Sequence, residues 1–285
     1  LTACGRRMLL VLLIIQAATW HVARPARAAF EGWQVGADVC GLSVSGVSLD
    51  DPLFIPFINP AAYREETCWR LSTFYSRRFD MRELTRIALA LSRGGHRFVW
   101  SMGAERFGND LYGEEVIVLG LGFPFLGRSR VGLSGKFCNL WISGYGTAAA
   151  PALDIGWSTL AGDGLRLGAV WRNVNRPELG LSGEEIPGGL IVGVSGTISG
   201  RLSWTVEDRR LFPGGSGVGF GVAGRLYGGF RAEMGYRRET GEYSMGATMN
   251  LSLLRWDYSV SIHPMLGITH YISMAIGFGG PGPRW

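Results

Sequence analysis

Phe230-Arg231-Ala232-Glu233-Met234-Gly235-Tyr236-Arg237 opens a stretch, running to Phe278, whose reading decides the fold. Apolar residues occupy every second position, and the residues between them are charged or tiny. That is the period of a strand, whose successive side chains point to opposite faces. The pattern returns in Tyr243, Met245, Ala247, Met249 and Leu251, again in Leu254, Trp256, Tyr258 and Val260, and last in Ile268, His270, Ile272, Met274, Ile276 and Phe278. A soluble sandwich would turn the bulky face inward. A membrane barrel inverts the sense, with lipid outside and a polar lumen within.

Working outward, the same alternation predicts strands at 70–77, 85–92, 96–107, 112–123, 129–142, 149–160, 164–173, 188–197 and 201–208. Five more follow at 217–226, 229–237, 242–250, 253–260 and 268–278. The total of about fourteen is even, as in bacterial single-chain barrels. Short links recur at every second connection, and longer ones such as 143–148, 174–187, 209–216 and 261–267 alternate with them. That parity places the chain start on the short-turn side, which is periplasmic in outer-membrane barrels.

Arg86, Glu105, Lys136, Asp154, Arg166, Arg172, Glu207, Arg225, Arg231, Glu233, Arg255 and Asp257 share the phase opposite the bulky residues. A charge facing lipid near the midplane costs roughly 2–4 kcal/mol, so these belong in a lumen. Lys136, Asp154, Arg166, Glu207, Arg231, Glu233, Arg255 and Asp257 are the candidate lumen charge network. Trp141, Trp157, Trp171, Trp204, Tyr236, Tyr243 and Trp256 take the outward phase and suit interfacial girdles. The expected fold is all-β, a transmembrane antiparallel β-barrel of about fourteen strands.

Composition agrees with that expectation. The 285 residues include 44 Gly and 12% aromatics but only 18% charged residues. The formal net charge of +5 shrinks to near neutrality once Arg6, Arg7, Arg24 and Arg27 are set aside as part of a leader, so no global electrostatic grip on nucleic acid remains. That leader has the three parts of a secretory signal peptide: Arg6 and Arg7, an apolar run from Met8 to Ala18, and Ala26-Arg27-Ala28 as a small-x-small cleavage site. Cys4 sits in a superficially lipoprotein-like box with no apolar region before it. Beyond Ala28 no apolar run of about eighteen residues remains, so a membrane-spanning mature chain has to be a barrel.

Between leader and strands, GADVCGLSVSGVSLDDPLFIPFINPAAYREE runs from Gly36 to Glu66. Asn59-Pro60 initiates a turn, and Pro60 removes a backbone donor. The small-residue run, the pair Asp50-Asp51 and the string Asn59-Pro60-Ala61 resemble, in order, the opening of outer-membrane barrels of the PorV and PorQ group and, more distantly, of FadL-type transporters of hydrophobic compounds. Tyr75-Ser76-Arg77, Glu83-Leu84 and Phe107-Gly108 resemble the first hairpins of that group. Asp257-Tyr258 followed by Leu266-Gly267, Thr269-His270 and Ile272-Ser273 resembles its closing strands, while Tyr271 and the tail 279–285 depart from it. The resemblance implies a hatch inside the barrel, with Asp50, Asp51, Asn59, Pro60 and Ala61 as gate candidates. It also leaves Phe278 and Trp285 as alternative terminal aromatics for assembly. The expected organisation is a signal peptide over 1–28, a hatch segment over 29–68, the barrel over 69–278 and a tail over 279–285. Cys40 and Cys68 bracket the hatch, either as a disulfide or, the favoured reading, as small buried thiols.

No catalytic pattern stands out. His21 lies in the leader, and no sequence pattern ties His96, His263 or His270 to a serine, which makes structural or interfacial histidines the better reading. Gly219, Gly221 and Gly224 spell GxGxxG inside an alternating strand, without the helix a dinucleotide site needs, and instead suit a crowded lumen. No metal-type Cys/His spacing is present, and Asp50-Asp51 reads as a turn or hatch anchor before a cation site. The expectation is therefore a non-enzymatic barrel without cofactor, in contact with outer-membrane lipid. It would pass hydrophobic small molecules through its lumen or, alternatively, engage secreted proteins as type IX secretion components do; an outer-membrane enzyme is the disfavoured third class.

Overall fold

Alternation over so many segments leaves a sheet with two unlike faces, and closing it on itself removes both hydrogen-bonding edges. The structure, a computed structural model, describes residues 29–32, 34–64, 68–95, 97–162, 164–180, 183–198, 200–212 and 214–280. The expected leader over 1–28, His96 and the tail residues 281–285 lie outside the described residues.

The strands are β1 (Trp69–Arg77), β2 (Thr85–Arg93), β3 (Val99–Gly108), β4 (Tyr112–Pro124), β5 (Ser129–Ile142), β6 (Gly146–Leu160) and β7 (Leu165–Arg172). Then come β8 (Glu178–Leu179), β9 (Glu184–Glu185), β10 (Gly188–Ile198), β11 (Leu202–Phe212), β12 (Ser216–Arg225), β13 (Phe230–Arg237), β14 (Glu242–Leu251), β15 (Leu254–His263) and β16 (Gly267–Phe278). Fourteen of them, β1–β7 and β10–β16, form one closed antiparallel barrel, each paired with its neighbours in sequence order. β1 closes it against β16, from Trp69 opposite Phe278 to Arg77 opposite His270. β8 and β9 make a separate two-stranded sheet, inside a segment expected to be plain loop.

The outward face carries an apolar belt. Ile276, Leu71, Leu91, Met102 and Leu119 lie side by side across β16, β1, β2, β3 and β4. Trp171 is 51% and Met234 68% exposed, while Glu233 between its outward neighbours is 3% exposed. Only lipid can cover so much apolar surface, so the barrel spans a membrane. The inward phase holds most of the strand charges, while Arg93 at the near end and Arg106, Glu115, Asp208 and Arg210 in the far-end half take the outward phase.

One expectation needs correction. At the near end, where β1 begins, the connections are 94–98, 125–128, 161–164, 199–201, 226–229 and 252–253. At the far end they are 78–84, 109–111, 143–145, 173–187, 213–215, 238–241 and 264–266. Only 78–84 and 173–187 are long. Strand pairing runs on into the segments read as loops, because β6, β11, β15 and β16 keep their ladders nearly to the turn.

The lumen is not empty. Residues 29–64 touch every barrel strand, which is geometrically open only to a segment threaded through the inside. Asp51 and Phe54 meet β1 at Arg70 and Phe74, Gly32 meets β2 at Arg86, and Phe57 and Tyr63 crowd Gly103 of β3 and Gly122 of β4. Pro56, Asn59 and Ile58 bond β5, β6 and β7. Ser48 bonds β10, Ser45 to Val47 bond β11, Leu42 packs on Gly221 of β12, and Gln34 bonds Arg237 of β13. Ser43 reaches Ser244 of β14, and Ala37 reaches Ser259 of β15 and Ser273 of β16. Within the segment are two single helical turns, α1 (Ala37–Cys40) and α2 (Ile55–Ile58). Gly36, at φ +120°, takes the backbone conformation that starts α1, and Pro56 sits in the first turn of α2 where no donor is missed.

Candidate functional site

Two unlike contacts hold the luminal segment. On the side of β16 and β1–β4 the segment makes its largest apolar contact, in which Val39, Leu53, Phe54, Phe57 and Ile58 pack on Phe74, Ala88, Ala90, Val118 and Ala275, beside the bonds of Arg70, Arg86 and Ser273. The Phe54 and Phe74 rings meet edge-on at 5.9 Å, and Phe74 stacks on Tyr271 at 6.4 Å. Cys40, a free thiol, belongs to this cluster, so it is not tied to Cys68.

Around the remaining strands polar contacts predominate, beside small apolar ones of Val47 with Val170 and Ile191 and of Leu42 and Val44 with Ala223. Glu207 on β11 accepts the backbone N–H groups of Ser45 at 2.6 Å, Gly46 at 2.9 Å and Val47 at 3.2 Å. Its register neighbours are Gly193 and Gly219, so no wall side chain stands between the carboxylate and the segment. A Cβ at Gly193 would fall 2.9 Å from Ser48 Oγ. The glycines of the GxGxxG string act in part the same way: Gly219 and Gly221 face Ser43 and Leu42, whereas nothing lies near Gly224.

The gate candidates lie in this segment, and they differ in what they do. Asn59 is fully buried; its Nδ2 donates to Val47 O at 2.7 Å and to Trp157 O at 3.2 Å, and its Oδ1 accepts from the N–H of Ala61 at 2.9 Å. Pro60 fits against Gly122, Gly132 and Gly156 of the wall. Asp51 binds Arg70 through both carboxylate oxygens, at 2.5 and 2.9 Å. Asp50 is shared by Arg166 at 2.7 Å and Arg64 at 3.0 Å. Asp50 with Arg166 therefore joins the two groups of candidates named from sequence.

Six of the eight network candidates gather in two clusters. Arg255 binds Asp257 at 2.9 Å and reaches Asp38 of α1 at 3.4 Å, Arg231 lies 3.3 Å from Glu233, and Thr248 donates to Asp257 at 2.5 Å and Glu233 at 3.2 Å. Separately, Lys136 binds Asp154 at 2.7 Å and Asn173 at 2.5 Å. Glu207 belongs to neither. Its role was not legible beyond "inward charge", although the two glycines flanking it in register were a signal that a backbone comes close.

Two adjoining cavities, about 440 and about 290 Å³, open beside the segment and share Asp50, Asp51, Arg64, Arg225, Arg231 and Arg255 in their walls. Charged and polar side chains make up much of their walls. At the far end Leu179 and Ile186 of the 173–187 connection are buried with Ala29, Phe30, Cys138 and Ala150 and fold over the mouth. His263 Nδ1 accepts from the N–H groups of Met265 and Leu266, and His270 pairs with the Tyr258 hydroxyl at 2.8 Å. These contacts hold a turn and an outward ring pair and involve no serine or carboxylate. Among the described residues no group of His, Cys, Asp and Glu is arranged to hold a metal ion.

No family model and no curated protein matches the chain in sequence. Solved structures do match in shape. The CymD monoaromatic hydrocarbon channel superposes with a TM-score of 0.67 at 14% identity, over 88% of this chain and 99% of that one. The Pseudomonas putida toluene transporter TodX gives 0.61 at 11%, over 88% and 98%. It shares a fold with these channels. A Pseudomonas aeruginosa FadL homologue gives 0.57 at 11%, over 84% and 97%. The FadL-like part of the sequence resemblance thus holds at the level of the fold.

Proposed function

We propose that this protein is an outer-membrane channel, exported by its leader, that passes small hydrophobic molecules without catalysis and uses residues 29–68 as a hatch inside the barrel formed by 69–278. The observation that carries the reading is the two-sided grip on the luminal segment. Along β16 and β1–β4 the segment has its largest apolar contact, around Phe54 and Phe57, which an apolar solute replaces with contacts of the same kind while the bonds from Arg70, Arg86 and Ser273 remain. Around β5–β7 and β10–β15 it is held by Glu207, Ser134, Ser244 and Arg255, whose bonds a hydrocarbon cannot replace. A solute therefore moves past Phe54 and Phe57 while the polar side stays pinned. Asp50, Asp51, Asn59, Pro60 and Ala61 set the hatch, Arg166, Glu207 and Arg255 anchor it, and Lys136, Asp154, Arg231, Glu233 and Asp257 brace the wall around it. The fold shared with hydrocarbon channels supports the same solute class.

Uptake of radiolabelled toluene by vesicles containing the folded barrel is expected to exceed that of protein-free vesicles. Phe57→Ala, which thins the apolar side, is expected to raise it by about tenfold, the effect of roughly 1.4 kcal/mol on a barrier. Uptake equal to that of empty vesicles, with the barrel folded, would refute the reading. A second reading, engagement of secreted proteins as in the PorV group, is favoured by the arginines and aspartates lining the two cavities. Its test is copurification of an exported protein with the barrel without crosslinking.

A further inference from the structure

At the near end the outermost outward row reads Phe278, Trp69, Arg93, Trp100 across β16, β1, β2 and β3, each residue opposite the next in register. The row behind it is Ile276, Leu71, Leu91 and Met102, wholly apolar. Arg93 therefore stands where the apolar belt ends and lipid headgroups begin.

Its surroundings are built. Trp69 stacks on Phe278 at 6.4 Å and meets Trp100 edge-on at 4.9 Å. The Arg93 guanidinium lies over the Trp69 ring, 5.1 Å from its centroid. A guanidinium held by its face keeps its edge N–H groups free to donate in the plane, the geometry that binds a phosphate through two oxygens. Among the described residues no carboxylate pairs with Arg93, and the adjoining 94–98 connection adds exposed Arg97 and Phe98 but no acid. The side chain has been oriented and left with open donors at headgroup depth.

We propose that this row is a binding site for one glycerophospholipid of net negative charge. Its phosphate sits on the Arg93 edge, and its glycerol backbone and first methylenes lie on Trp69 and Trp100. Arg97 supplies a second cation, which attracts an anionic headgroup and repels the ammonium of a zwitterionic one. The inference rests on the barrel standing in a bilayer, independently of what passes through the lumen.

The test is native mass spectrometry of the folded barrel released from nanodiscs made of equal parts phosphatidylglycerol and phosphatidylcholine. The wild type is expected to retain phosphatidylglycerol about fivefold over phosphatidylcholine, the increment of one basic side chain at an anionic surface. Arg93→Gln brings the ratio near parity, and Arg210→Gln at the far end leaves it unchanged. Should Arg93→Gln lose the heat-modifiable gel shift of a folded barrel, Arg93→Lys decides, since it keeps the charge but not the planar stack and is expected to lower the ratio part-way. A wild type without preference, or a folded Arg93 variant with the full preference, overturns the proposal. Preferential retention of lipid A in a parallel nanodisc also overturns it, because the row would then face the other leaflet.

Discussion

Glu207→Ala is expected to loosen the luminal segment and raise ion conductance through an otherwise folded barrel. Glu207 is 1% exposed and is the acceptor for three consecutive backbone N–H groups, those of Ser45, Gly46 and Val47. Flanked by Gly193 and Gly219, it has no neighbour that could take over. Each buried donor left unpaired costs roughly 1–3 kcal/mol, so docking of the segment weakens by roughly 3–5 kcal/mol after some relaxation and water entry. The barrel ladders are untouched, so the heat-modifiable gel shift persists while single-channel conductance in planar bilayers rises. Glu207→Gln keeps an acceptor and falls between. Unchanged conductance in a folded Glu207→Ala protein would remove the carboxylate from this role.

Leu89→Arg is expected to destabilise the barrel by about 2–4 kcal/mol, since Leu89 faces outward at the middle of β2, with Ile87 and Leu91 on either side along the same face. A buried guanidinium in hydrocarbon has no partner there, whereas Leu126→Arg in a near-end turn, at a site 77% exposed, should change stability by about 0–1 kcal/mol. Urea titration of the two variants in lipid vesicles measures the difference. Equal stabilities would mean that the outward face of β2 is not in lipid.

How much of this was legible beforehand follows from where each piece of information resides. Alternation is local, so Phe230 to Phe278 and its repeats disclosed the strands and, with the cost of a charge in lipid, which phase looks inward. Lys136 with Asp154 and Arg255 with Asp257 could be placed in a common lumen by phase alone, because partners on one or two adjacent strands follow from register. The path of residues 29–64 was beyond such reasoning. Its contacts, such as Ser43 with Ser244, join residues far apart in sequence and depend on barrel closure, and only the Asp50-Asp51 and Asn59-Pro60-Ala61 resemblance hinted at a hatch. Turn lengths were misjudged because glycine-rich and polar residues read as loop even where a ladder continues, as at Gly146 to Ala148 and Arg209 to Phe212. The hairpin of β8 and β9 is too short for any period to reveal. Leu179 and Ile186 are the apolar residues whose burial gives that hairpin its purpose.

That the chain fills its own barrel is tested most directly by joining the segment to the wall. Ser43 Oγ and Ser244 Oγ lie 2.8 Å apart. With Cys40, Cys68 and Cys138 replaced by alanine, the pair Ser43→Cys and Ser244→Cys should form a disulfide under mild oxidation in outer-membrane preparations, found by mass spectrometry as one crosslinked peptide. A folded barrel in which residues 43 and 244 stay unlinked under those conditions would contradict a segment lodged within it.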